Sequence, residues 1–111
     1  MFKKKERLTK TRELRKVYRL GKTVHTSALV IKFFEAAKLR TAFVVSKKVS
    51  KKAVERNRIK RVLREFLRLN SGKIRLGDYI ITAKNIASGQ DNNSLRKEFE
   101  YALTKGYLWR K

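Results

Sequence analysis

The chain has 111 residues, with thirty-one Lys and Arg against nine Asp and Glu, a formal charge of +22, and 41 % apolar residues. That apolar share suffices for one domain with one core over residues 1–111 and excludes a disordered basic tail, while the self-repulsion of so many cations calls for a polyanionic partner. Without cysteine, disulfides and thiolate metal sites are excluded, and no segment reaches the roughly 18 apolar residues of a membrane span.

The amino-terminal MFKKKERL lacks the apolar run of a signal peptide, so a soluble, cytoplasmic protein is expected. After this basic lead-in, Thr11 is placed to cap a short helix in which Leu14, Val17 and Tyr18 share a face, with Gly21 just past its end. From Thr26 to Glu35 a β-branched and aromatic run alternates, which puts Leu29, Ile31 and Phe33 on one face of a strand and Val30, Lys32 and Phe34 on the other. The short link from Ala36 to Leu39 leads to a second strand, RTAFVVS, and its brevity predicts an antiparallel hairpin.

A long helix follows, roughly from Lys52 to Leu69, with Ile59, Val62, Leu63 and Phe66 at the spacing of one buried stripe. At about 100° per residue, Arg56, Lys60 and Arg64 line one edge. Asn57, Arg61 and Arg68 lie beside them, away from the stripe, and Arg58 turns toward the flank. Ser71 and Gly72 end the helix, GDYIITAK forms a third strand, and DNNS offers N-cap oxygens to a last helix lined by Leu95, Phe99, Ala102 and Leu103. Gly106 terminates it and leaves a tail, YLWRK. The order is αβββαβα with a short extra strand near the hairpin and αββαβα without one. Either gives an α+β, two-layer α/β sandwich.

Catalysis by the polypeptide alone has little material. The one histidine, His25, sits beside threonines at a strand entrance and reads as a surface residue, and no carboxylates cluster at ligand spacing. No catalytic or metal-binding residue is therefore assigned. Glu55 and Glu65 are expected to pair with basic neighbours on their own helix. Phosphate binding is far better supplied, because Arg forks and Lys point charges interleave from Lys47 to Arg68, where a merely solvated face would mix in acids at comparable frequency. On the sheet face of Val30, Lys32 and Phe34, partial cover by the first helix would leave a groove in which Tyr18, Phe34 and Lys32 suit a single strand of nucleic acid. The alternative is that these aromatics are core.

SKKVSKKAVERNRIKRVLREFL resembles the signature of the bacterial ribonuclease P protein family, centred on Arg56, Asn57 and Arg58. RLTKTRELRKVYRLGK resembles that family's first helix, and GDYIITAKN the strand after its long helix, so nearly the whole chain is covered in the expected order. The resemblance implies a fold like domain 2 of ribosomal protein S5, with a left-handed βαβ crossover. It also implies a small basic subunit that joins a catalytic RNA in removing the 5′ leader of precursor tRNA, with Mg2+ held by the RNA and no cofactor bound by the protein. On that implication Lys47, Lys48, Lys52, Arg56, Asn57, Arg58, Lys60, Arg61, Arg64 and Arg68 face the catalytic RNA. The leader cleft takes Tyr18, Lys32 and Phe34, bordered by Arg56, Asn57 and Lys60.

Two departures stand out: Leu14 where the family often has phenylalanine, and Lys32 where a tyrosine can occur, so charge replaces some stacking on the leader. Few base-edge contacts are needed for a leader of variable sequence. Neither DNA nor a membrane is expected as a partner. The rival readings are a ribosomal protein using the same helix on ribosomal RNA, and a cationic membrane-surface protein, whose apolar stripe is however needed for the core.

Overall fold

The computed structural model describes residues 11–110, so the basic lead-in of residues 1–10 lies outside the described residues. The order is α1 (Thr11–Leu20), β1 (Lys22–His25), β2 (Leu29–Glu35), β3 (Arg40–Val44), α2 (Ala53–Leu69), β4 (Gly77–Ala83) and α3 (Asn92–Lys105). Short 3-10 turns occupy Ser71–Lys73 and Asn85–Gly89. This is the αβββαβα order with the extra strand, β1, ahead of β2. Thr11 is the first residue of α1 rather than its cap.

The four strands lie in the order β1-β2-β4-β3. β1 and β2 form the antiparallel hairpin, β2 pairs antiparallel with β4, and β3 pairs parallel with β4. The hairpin expected between β2 and β3 is therefore not formed. Those two strands run in opposite directions, as a short link requires, but β4 lies between them. The reason is burial: β4 is buried on both faces except at Thr82, whereas β3 has exposed and half-exposed positions. A strand that is apolar on both faces belongs in the middle of a sheet. The link over residues 36–39 has only to cross two strand spacings, about 10 Å, well within its reach.

Alternation decides which face meets which helix. Leu29, Ile31 and Phe33 of β2 stand beside Ala83, Ile81 and Tyr79 of β4 and pack under α2 and α3. From α2 come Ile59, Val62, Leu63 and Leu67, and from α3 Leu95, Phe99, Ala102 and Leu103, all buried. Phe66 is only half-buried and meets Phe99 with ring centroids 5.3 Å apart. Each fully buried Leu, Ile or Phe contributes about 1.5–3 kcal/mol of transfer free energy. α3 begins where Asp91 Oδ1 accepts the Ser94 amide at 2.7 Å, a cap that contributes about 1 kcal/mol.

The opposite sheet face carries α1. Val17 packs on Ile80, with Leu14, Phe34 and Ala42 around them. Arg40 of β3 ties this layer together: its Nε and Nη2 donate to Asp78 Oδ1 and Oδ2 of β4, both at 2.9 Å, and its Nη1 donates to Glu13 of α1. Asp78 is 5 % exposed, so this pairing is what permits a carboxylate there. Gly77 is required by close approach, since a Cβ would lie 2.7 Å from the Phe34 carbonyl oxygen and against the Phe33 ring.

Candidate nucleic-acid interface

The interface is built on α2 and on the turn that feeds it. Val49 is buried, and its amide donates to the Ser46 carbonyl at 3.0 Å, so the turn is pinned to the core with Lys47 and Lys48 exposed. Arg56 Nη1 reaches back to donate to the Ser50 and Lys51 carbonyls at 2.9 and 3.0 Å, which fixes the turn against the first helical turns. Lys52 is the N-cap residue, without a side-chain cap bond. The first amides of α2 thus lack a side-chain acceptor at the positive end of the helix dipole, which adds to the cationic field.

Along the helix, Asn57 and Arg61 are exposed, and Lys60 and Arg64 half-exposed. The Arg64 guanidinium lies 5.7 Å from the Phe43 ring centroid, which orients it over the edge of the sheet. Two cations are occupied differently. Arg58 pairs with Glu55 through Nε, and donates to Asn92 Oδ1 at 2.7 Å and to the Gln90 carbonyl at 2.8 Å, so it holds α2 to the entrance of α3. Arg68 pairs with Glu65, and the hydrogen bond from that guanidinium holds the Glu65 carboxyl below its usual range. Both helix acids therefore pair within α2, as expected.

The distribution of charge follows from where the acids went. The five ion pairs among the described residues use Arg40 (twice), Arg58, Arg68 and Arg75. Asp91 caps α3, and its amide bonds from Ser94 hold its carboxyl below the ordinary value. Glu98 of α3 accepts from Ser27 Oγ and the Ala28 amide, both at 3.0 Å, clamping the β1–β2 turn. Burial works to raise the Glu98 carboxyl, but these bonds and one from Thr26 win, and its pKa is lowered. Of the acids among the described residues, Glu100 alone makes no hydrogen bond or ion pair through its carboxylate, while Lys47, Lys48, Lys52, Arg56, Lys60, Arg61 and Arg64 share none of the ion pairs. That leaves a cationic ridge unneutralised, with donors suited to phosphate oxygens.

The sheet face under α1 is the second part. α1 covers Ile80, Phe34 and Ala42 and leaves Val30, Lys32 and Thr82 half-buried and Val44 exposed. Tyr18 is 47 % exposed on α1. Phe34 is half-buried within the α1 cluster, with Lys16 Nζ 4.8 Å from its ring centroid. Lys16 had no expected role. Neither had the exposed Arg12, Arg15 and Arg19, which with Lys16 line a shallow concavity on α1. Their spacing of three and four residues was the signal for a second basic face. His25 ends β1, exposed, as a surface histidine should.

Among the described residues no helix is long and apolar enough to cross a membrane. The family profile described as Ribonuclease P matches residues 2–107. A ribonuclease P protein component of Exiguobacterium sp. is 35 % identical over 113 residues, covering 99 % of this chain and 97 % of the relative. The solved RNase P protein of Staphylococcus aureus superposes with a TM-score of 0.89 at 25 % identity, covering 95 % of this chain and 98 % of that one. That of Thermotoga maritima, solved with 1-(4-fluorophenyl)-2-thiourea, gives a TM-score of 0.81 at 27 % identity, over 89 % of this chain and 98 % of that one.

Proposed function

The chain belongs to the ribonuclease P protein family, and from that premise we propose how it serves its ribonucleoprotein: it binds the catalytic RNA through the α2 ridge and helps the RNA remove the 5′ leader of precursor tRNA. The observation that carries this reading is the row Lys52, Arg56, Lys60, Arg61 and Arg64, exposed or half-exposed and outside every ion pair among the described residues. Lys47, Lys48 and Asn57 extend the row. Arg58 and Arg68 are engaged with neighbours, and Arg58 in particular holds the ridge in register with α3.

The chemistry is electrostatic. Folding an RNA brings phosphates together, and Lys and Arg placed at their surface release counterions and lower that repulsion. The Mg2+ ions used in hydrolysis belong to the RNA. The protein strengthens their binding indirectly, by permitting the phosphates around them to approach. Commitment of most carboxylates to structural partners supports this division of labour, because few are left to act as acids or bases. The leader lies on the partly open sheet face, with Tyr18, Lys32 and Phe34 beneath it and Arg56, Asn57 and Lys60 at the border.

Reconstitution tests the reading. The chain and a ribonuclease P RNA together should cleave precursor tRNA at the 5′ boundary at magnesium concentrations where neither component does so alone. Arg56→Ala with Lys60→Ala should raise the magnesium required. A magnesium titration that the double variant leaves unmoved, or cleavage by the protein alone, would overturn it.

A further inference from the structure

A second concavity lies at the far end of the sheet from Arg56. Because β3 runs parallel to β4, α2 starts near the carboxyl ends of those strands and returns toward the start of β4. There, Glu35, Ala36, Arg75, Leu76, Tyr107, Trp109 and Arg110 surround a space of about 830 Å³. The chain after α3 builds it. Leu108 is buried, and its carbonyl accepts the Arg75 amide at 2.8 Å. The Arg110 amide donates to the Lys73 carbonyl at 2.8 Å, and Ile74 bridges to Trp109. The tail is thus tied to the segment before β4 by a single antiparallel bridge, with Leu108 buried and Tyr107 and Trp109 both lining the space.

The two aromatics are fixed differently. Trp109 Nε1 donates to Thr104 Oγ1 at 3.0 Å, which sets its ring as a wall. Tyr107 is 79 % exposed and has φ 55, the left-handed residue that closes α3, where the Tyr107 amide donates to the Thr104 carbonyl at 3.2 Å and the Leu108 amide to the Leu103 carbonyl at 2.9 Å. That backbone fixes the Tyr107 ring at the mouth of the concavity, facing solvent beside Trp109. Cations surround it: Lys22 Nζ is 5.4 Å from the Tyr107 ring centroid, and Arg75 spans between the Tyr107 carbonyl at 3.4 Å and Glu35 at 3.3 Å. Glu35, the one acid in the lining, is mostly exposed and turned onto Arg75.

We propose that this concavity holds a nucleotide of single-stranded RNA, with the base against Tyr107 and Trp109 and the flanking phosphates on the Nη groups of Arg110, whose Nε donates to the Ile74 carbonyl at 3.0 Å, and on Arg75, from which the exposed Glu35 is displaced. Flat apolar walls suit a base of any sequence, and guanidinium groups at the mouth suit the phosphates on either side of it. The volume falls within the usual range for a small-ligand site, and the +22 charge of the chain favours a polyanion over a neutral ligand. This is a contact separate from the α2 ridge, so the protein grips RNA at both poles.

Trp109 is the sole tryptophan and reports on the site directly. Trp109 emission of the full chain is followed during titration with a single-stranded oligoribonucleotide of about eight nucleotides, with an abasic strand of the same length, and with adenosine monophosphate. The oligoribonucleotide should quench Trp109, and the abasic strand should not. Tyr107→Asn, chosen because Asn tolerates the left-handed backbone, should weaken the quenching titration roughly tenfold, and Tyr107→Phe should restore it. Lys97→Gln, an exposed cation of α3 outside the lining, should leave it within about twofold. Equal quenching by the abasic strand, equal quenching by adenosine monophosphate, or a titration that Tyr107→Asn leaves unchanged would overturn the assignment. Failure of the α2 reading shows instead in the magnesium titration of cleavage, so the two outcomes are separable.

Discussion

If the ridge meets phosphate, its contribution must appear in the salt dependence of RNA binding. Each phosphate neutralised contributes about 0.7–0.9 to the slope of log affinity against log salt, so seven cations of the ridge, Lys47, Lys48, Lys52, Arg56, Lys60, Arg61 and Arg64, none of them in an ion pair, limit the ridge's share of the slope to about −5 to −6. Replacing Lys60 and Arg61 together by Gln removes two contacts and should flatten the slope by about 1.4–1.8. The control makes the same change of charge elsewhere, with Lys38→Gln in the β2–β3 link and Lys97→Gln on α3, both exposed. Binding of the ribonuclease P RNA is measured by fluorescence anisotropy over a salt series at fixed magnesium. A general effect of net charge would flatten both doubles alike, and contacts confined to the ridge would flatten only the first. Equal slopes for the ridge variant and the native chain, or equal flattening in both variants, would refute the reasoning.

Arg40→Met should lower stability by about 2–3 kcal/mol in urea unfolding, because it strands the buried Asp78, with Arg40's 28 % side-chain exposure keeping the loss below that of a fully buried pair. The same change releases Glu13, so α1 should also exchange its amide hydrogens sooner than α2. Glu98 has its pKa lowered in the folded chain, and the stability it supplies is therefore complete above its ordinary value of 4.5 and is lost as pH falls through the depressed one. Glu98→Gln should accordingly be less stable than the native chain at pH 7, with the difference shrinking in acid, as urea unfolding at several pH values would record. Tyr18→Ala should weaken binding of precursor tRNA roughly tenfold while leaving mature tRNA unchanged, given the strength of base stacking on an exposed aromatic. Equal losses for the two RNAs would remove Tyr18 from the leader groove.

What was legible in the sequence was local. The α3 stripe Leu95, Phe99, Ala102 and Leu103 was visible because helical period depends on neighbours within a few residues, and all four are buried. The two faces of β2 were visible for the same reason. The partner of β2 was not, since a strand's alternation says which face is apolar but not which strand lies alongside, and the true neighbour, β4, arrives more than forty positions later. The ridge was readable from the helical wheel. Which cations are engaged depended on groups distant in the chain: Glu13 and Asp78 meet at Arg40 from separate elements, and the Gln90 carbonyl and Asn92 Oδ1 take up Arg58 from the entrance of α3. The tail YLWRK carried no periodic signal, and its pairing with the segment before β4, through the Ile74–Trp109 bridge and two backbone hydrogen bonds, depends on residues more than thirty positions away.

The placement of β4 has a bearing on how the molecule is made. β1 and β2 can close as a hairpin as soon as both have been synthesised, whereas β3 has no strand partner until β4 is available, after the whole of α2. Closure of the sheet is then a single late event, in which one apolar strand wedges between two waiting halves and makes their mostly long-range contacts at once. On a ribosome, the cationic ridge of α2 therefore emerges before the strand that completes the sheet beneath it.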